Sequence, residues 1–500
     1  MALTRLQRIV FGFGHVFNDL CASIWFTYLI TYMMNVLKFS MGNAGNLMII
    51  GQLADGLGTT FVGLESDRTS PGGFRGYGRR KTWHVVGSFC VLISFPFIFN
   101  PIPCAPHADE WARLIYYGPL IALFQFGWAA VQNSHLSLIP QLAETDTERT
   151  RLNSIRFAFT VASNIVVYLS AFLLLKFNEI ETGKPDDDSG QLSPADAESF
   201  RYLVFIVCSL GSLCTLLFHL VLKEVPNSTV EVNDNRAGIN DAEEVDDGVE
   251  DRPLAAATSS ASTAVCTKMR ALDWLKEPQF YAIGTLYMLT RLIINVAQVY
   301  LPLLVTESFG LHKAWIAIVP LVVYFVSMLT SVLIETCHAL GRNRKVANLL
   351  GLALIGGFSA SAYLVQPDTV TPWQLAFPAL SLGIGSSIIM IMSMSLTADL
   401  IGPDRDSSAF VYGCMSLVDK LANGVTVWIV QHTQPHMRPG GDICMKFFRE
   451  IEGFGIGGFA AVAFLLTLCL LPVRIGQRRK LAAKNDGANG YGSVGRRPDA

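Results

Sequence analysis

Twelve times along its 500 residues this chain turns apolar for about twenty residues or more. That spacing leaves few folds open. A hydrocarbon core of roughly 30 Å takes about 20 apolar residues at ~1.5 Å each, and inside it every backbone N–H and C=O has to be satisfied within its own segment. The runs lie near 10–37, 43–64, 83–100, 113–141, 153–177 and 201–222, then near 279–305, 314–336, 346–365, 373–400, 407–430 and 452–473. Charged residues make up only 16% of the chain, where a soluble domain typically carries about 25%. The expectation is an all-α membrane protein with 12 transmembrane helices.

The formal net charge of −2 matters less than where Lys and Arg fall. Residues 65–82 hold Arg68, Arg75, Arg79, Arg80 and Lys81, and residues 342–345 hold Arg342, Arg344 and Lys345, while 100–112 and 366–372 hold none. The basic loops and both termini are therefore expected on the cytosolic side. Arg438, Lys446 and Arg449 in 432–450 run against that pattern. The first apolar run is too long for a cleavable signal and is expected to stay as a span.

Between the sixth and seventh runs lies "NDAEEVDDGVED" followed by "LAAATSSASTAV", an acidic, low-complexity stretch that has too little apolar surface to order itself. It divides the chain into a six-helix bundle over 1–222, a cytosolic linker over 223–278, a second six-helix bundle over 279–475 and a cytosolic tail over 476–500. The sequon at Asn227 falls in the linker and is expected to stay unmodified. "GLESDRTSPGGFRGYGRRK" (63–81) and "HALGRNRK" (338–345) echo one another after the second span of each half. Duplicated halves are how many carriers build a midplane site and alternate its exposure.

Ionisable groups at membrane depth cost several kcal/mol unless paired or hydrated, so each is a pathway candidate. Helix 1 carries His15, Asn18 and Asp19 near one face, since residues three and four apart are neighbours on a helix. Helix 2 carries Gln52 and Asp55 among glycines, helix 4 carries Gln125, Gln132, Asn133 and His135, and helix 5 carries Arg156 and Asn164. In the second half Arg291, Asn295 and Gln298 share a stripe of helix 7, and Asp419, Lys420 and Asn423 lie on helix 11. A structural reading stands beside each: Asp19 and Asp55 as acids neutralised by Lys420 or an arginine, Arg291 as the partner of an acid, His15 as a hydrogen-bonded packing residue. Glu335 and Asp399 lie near span ends and read as interfacial.

The loop with Gly63, Asp67, Arg68, Gly78, Arg79 and Arg80 resembles the cytosolic signature of the major facilitator superfamily, stretched by "SPGGFRGY". Asp67, Arg68, Arg79 and Arg80 are accordingly expected to form a charge network that gates the cytosolic side. Asp19, Asp55, "GRRKTW", "SHLSLIPQL" and Lys420 together resemble the glycoside-pentoside-hexuronide:cation symporter branch. Two positions depart from it. The sodium-coupled sugar carriers have a second acid four residues after the first on helix 2, where this chain has Thr59, and their helix 4 acid falls near Gln132. "FNDLCASIWFTYL" (17–29), "GQLADGL" (51–57), "SFPFIF" (94–99), "YYGP" (116–119), "FQFGWA" (124–129), "SHLSLIP" (134–140), "TADLIGP" (397–403) and "FVYGCMS" (410–416) resemble a narrower family that imports cysteine into melanosomes and lysosomes. The resemblance implies the major facilitator fold and a carrier of cysteine in an acidic organelle, with pigmentation as its setting. The zwitterion's carboxylate is expected near Arg156 or Arg291 and its ammonium near Asp19 or Asp55. A cation-coupled symporter of a sugar or other small solute is the alternative.

Tyr491 and Val494 in "NGYGSV" fit a tyrosine-based endolysosomal address read by clathrin adaptors. "EDRPLA" (250–255) only approaches a dileucine signal, since Ala255 stands in place of the second leucine. Most of the ten cysteines lie inside spans; Cys104 and Cys444 lie outside and could pair in an oxidising compartment. No phosphate loop, H-E-x-x-H or cysteine pair of metal spacing occurs. An enzyme, a cofactor and a nucleic-acid partner are therefore not expected; the partners expected are the solute and the lipid bilayer.

Overall fold

A computed structural model describes residues 3–70, 73, 76–103, 108–143, 145–181, 192–224, 271–336, 343–365, 371–402, 408–433 and 442–476. Asn227 and most of the linker, Cys104, and the tail with Tyr491 and Val494 lie outside the described residues, as do the side chains of Asp67, Glu335 and Cys444.

The first half comprises α1 (Arg5–Thr31), α2 (Met41–Arg68), α3 (Arg79–Ile98), α4 (Glu110–Leu142), α5 (Asp146–Glu181) and α6 (Ala197–Val221). In the second half α7 (Pro278–Leu303), α8 (Trp315–Thr336), α9 (Arg344–Leu364), α10 (Ala376–Ile401) and α11 (Ser408–His432) follow in turn. The last span is broken into α12 (Asp442–Glu450) and α13 (Ile456–Leu470) around a π turn, Ile451–Gly455. Among the described residues eleven helices are long and apolar enough to cross a membrane. The remaining rod is α11, diluted at its centre by Asp419, Lys420 and Asn423. The sense of successive spans alternates, so the first and last described residues share one face, the terminal face; the opposite one is the distal face.

Each half is cemented by close helix pairs, α3 on α4 and α9 on α10. Glycine permits that approach, because a Cβ on Gly87 would stand 2.7 Å from the Gly127 carbonyl and one on Gly385 3.0 Å from the Gly351 carbonyl. The halves meet where α2 packs on α11, α5 on α8 and α1 on α7.

The repeat hinted at by the two basic loops is written in backbone geometry. After α1 comes a π turn, Tyr32–Val36, then Lys38 at φ 56°; after α7 comes a π turn, Leu304–Ser308, then Gly310 at φ 60°. The closing bonds match, Leu37 N to Tyr32 O at 3.0 Å and Phe309 N to Leu304 O at 3.0 Å. The echoed lysines have matching work. Lys81 Nζ donates to the carbonyls of His219 (3.1 Å) and Leu222 (2.6 Å), and Lys345 Nζ to those of Leu470 (2.7 Å) and Val473. Each therefore caps the open carbonyl end of its own half's last helix, where the partial negative charge of the helix favours a cation.

Candidate functional site

Asp19 sits one turn above His15 on α1, with His15 Nδ1 2.9 Å from its Oδ2. Across on α5, Arg156 Nη2 stands 2.9 Å from His15 Nε2 and Thr160 Oγ1 donates to Asp19 Oδ2 at 2.8 Å. Because a guanidinium can only donate, Nε2 of His15 has to accept, which leaves the ring neutral with its proton on Nδ1, toward Asp19. His15 is thus the bridge of an acid–imidazole–base triad with the buried Asp19 at one end and the half-buried Arg156 at the other. Above it Ser23 Oγ donates to Asn164 Oδ1 at 2.5 Å.

In the second half the same positions carry the opposite signs. Asn35 and Glu307, each fourth in its own π turn, are 272 residues apart; the same offset carries Asp19 onto Arg291 and His15 onto Tyr287. Arg291 Nε lies 3.9 Å from Asp419 Oδ2 on α11, and its guanidinium lies 5.7 Å from the ring of Tyr287. Asp419 is also held by Asn423 Nδ2 at 2.6 Å. The first half therefore pairs an acid on its first helix with a base on its fifth, and the second half pairs a base on its first with an acid on its fifth. Arg291 is the open member: its side chain is 30% exposed against 10% for Asp419.

A third pair crosses between the halves. Lys420 Nζ on α11 reaches Asp55 Oδ1 on α2 at 2.5 Å and Thr59 Oγ1 at 2.6 Å. Thr59, which departs from the sugar carriers' pattern, thus becomes a ligand of Lys420. Trp128 lies under the same ammonium, 5.6 Å from its ring centre.

Of the other predicted residues, Gln298 Nε2 donates across the interface to Thr27 Oγ1 at 3.0 Å, and Thr27 shares a 2.8 Å bond with Tyr168 OH. Asn295 is half-buried on the same helix, and Gln132 is half-buried with its Oε1 unpartnered among the described residues. In the predicted gating loop, exposed Arg68 pairs with Glu65 of its own helix at 2.9 Å and Arg80 bonds Ser66. Both contacts stay inside the first half.

Sequence reasoning missed several polar contacts. Asn35 Nδ2 donates to Glu307 Oε1 at 2.8 Å, and Lys313 Nζ meets Asp196 Oδ1 at 2.8 Å. With Trp428 Nε1 on Asn46 Oδ1 at 3.0 Å, they string inter-half bonds along the distal side. His84 shares a 2.9 Å bond with His219 and its Nε2 donates to the Gly14 carbonyl at 2.8 Å. His135 Nε2 likewise donates to the Phe11 carbonyl at 2.8 Å. These tie α1 to α3 and α4 as packing residues. Aligning the two halves by their first helices would have exposed Asn35 and Glu307 as counterparts; a reading by loop charge had no reason to attempt it.

Residues 10–268 match the family described as MFS/sugar transport protein. Major facilitator superfamily domain-containing protein 12 from Equus caballus is 41% identical over 481 residues, covering 95% of this chain and 95% of its own. The Homo sapiens protein of that name shows the same identity and coverage. Among solved structures, the inward-open xylose transporter XylE from E. coli superposes with a TM-score of 0.60 at 14% identity, over 93% of this chain and 95% of that one. That likeness carries the fold.

Proposed function

The chain belongs to the family of major facilitator superfamily domain-containing protein 12, a membrane transporter family, and on that premise we propose that it imports L-cysteine from the cytosol into lysosomes or melanosome-type organelles. The terminal face is then cytosolic and the distal face luminal. The observation that carries this reading is the sign-inverted pair of pairs, Asp19 with Arg156 and Arg291 with Asp419. A zwitterion between the halves meets a base and an acid whichever way it lies. Neither of its charges has to be buried alone, which would cost several kcal/mol.

Arg291 is the group best placed for the carboxylate, since its contact with Asp419 is long and its side chain is open. Asp19 is the counterpart for the ammonium. Asp55 is already taken up by Lys420 and Thr59, so the pair reads as a brace across the halves. The inter-half bonds near the distal face correspond to the state closed toward the lumen. An acidic lumen drives protons outward, so cysteine entry is facilitated or proceeds by exchange, with oxidation to cystine trapping the product.

Labelled cysteine uptake into organelles or proteoliposomes tests the reading. Arg291→Ala is expected to lose at least about tenfold in uptake at normal expression, the loss of roughly one charge-assisted contact; near-normal uptake would sink the assignment. The match to sugar transport proteins favours a second reading, cation-coupled carriage of a sugar. Sodium-stimulated uptake that sugars compete and cysteine does not would establish it instead.

A further inference from the structure

We propose that Glu452, in the π turn of the last span, is a proton-binding site loaded from the water of the distal face when α2 parts from α11. The turn Ile451–Gly455 places Glu452 fully inside the protein, at 0% exposure. Neither carboxylate oxygen has a hydrogen-bond partner among the described residues. The acids of the midplane pairs each have one: Asp19 has Thr160, Asp55 has Lys420 and Asp419 has Asn423. A bare carboxylate at such a place would cost far more than a neutral acid, which brings a donor of its own. π turns recur at functional sites because the extra residue turns one side chain out of helical register.

Among the described residues no cation is bonded to the Glu452 carboxyl. On α7, which packs against the turn, Tyr300 stacks its ring on Phe448 of α12, four residues before Glu452, with ring centres 6.1 Å apart. Its hydroxyl donates to the Val427 carbonyl at 3.4 Å and accepts from Gln431 Nε2 at 3.3 Å. Gln431 Oε1 is itself buried and has no partner among the described residues. On α9 the group against the turn is Tyr363, packed over Gly453. On α12 Lys446 and Glu450 are exposed, and Arg449 is spent on the Tyr363 carbonyl. Beyond α7, Glu307 is held by Asn35, and α13 carries no charged residue.

Access is gated by the contact between the halves. Gln431 packs against α2 so closely that a Cβ on Gly45 would stand 2.6 Å from its Cβ. One side of this glutamine faces the other half, and its amide holds Tyr300, whose ring lies on Phe448 one turn before Glu452. Opening the distal side separates Gly45 from Gln431 and lets water reach the carboxyl. The step is a simple proton exchange: the Glu452 O–H bond breaks and the proton passes to distal water, or the reverse on loading, with no redox change.

Two measurements on the full chain test the site, and only the second rests on the transport reading. Infrared difference spectra of the purified protein should contain a protonated-carboxyl C=O stretch that Glu452→Gln removes; identical spectra for the two proteins would overturn the proposal. In proteoliposomes of known orientation, wild-type cysteine flux should vary with distal-side pH by up to about tenfold per unit, the limit for one titrating group. Glu452→Gln, isosteric and permanently neutral, should still carry cysteine but without that dependence. Retained pH dependence, or a folded variant without flux, would overturn it as well. If wild type carries no cysteine, the substrate reading fails and the infrared arm decides alone.

Discussion

Asp55 and Lys420 show what an ion pair between two moving bodies requires. Both are almost fully buried, and Thr59 takes up a further bond of the ammonium. Removing one partner leaves a charge with no counterion at membrane depth, so Asp55→Asn and Lys420→Ala should each lower stability by about 3–5 kcal/mol. The double substitution should recover most of that, and thermal unfolding in detergent reads the difference; additive losses would mean that the two side chains do not act as a pair. The pairing was half legible in the sequence, because an acid and a lysine at membrane depth need company. Thr59 was legible only as a missing acid, since its role depends on where α11 crosses α2. In the sequence His15 reads equally as a pathway candidate and as a hydrogen-bonded packing residue. What sets its state is Arg156, 141 residues away, and no local pattern announces that neighbour.

At the level of elements, a glycine with open space around it is decided by its backbone alone. Gly310 has open space around the position of a Cβ, yet sits at φ 60°. Gly310→Ala should therefore cost about 1 kcal/mol from the backbone alone. Gly413, in the body of α11, also has open space and no positive φ. Gly413→Ala should instead gain up to about 1 kcal/mol, and a paired melting comparison of the two checks the contrast in sign. The caps predict likewise. Lys345→Met should free the carbonyl end of α13 and cost about 1 kcal/mol, visible as faster proteolysis near residue 473. The spans were readable because period and length suffice for helices in lipid. The breaks inside them, at Tyr32–Val36, Leu304–Ser308 and Ile451–Gly455, were not. A π turn has no residue signature and is fixed by what the helix has to pack against.

For the whole molecule, the distal contacts imply a cycle. Asn35 with Glu307 and Asp196 with Lys313 hold the halves together at the distal side, so they have to part for that side to open. Asn35→Cys with Glu307→Cys, cross-linked, should abolish uptake and reduction should restore it; undiminished flux in the linked protein would show that this seam does not open. Breaking the contacts by Lys313→Ala should shift the population toward the distally open state, read as faster thiol labelling of a cysteine placed at Asn35. In the sequence the acidic linker suggests a six-and-six division. The pairing of counterpart residues across the axis was not legible there, because it depends on a register between halves that share almost no side chains.

The sign inversion between Asp19 and Arg291 has an electrical consequence. Asp19 with Arg156, Arg291 with Asp419, and Asp55 with Lys420 each sum to zero formal charge, and His15 between the first two is neutral. A unit charge moved through 100 mV takes up about 2.3 kcal/mol. Here the three pairs, swinging between the two faces, move none. Any voltage dependence of the return stroke is then left to the acids outside these pairs, Glu307 and Glu452.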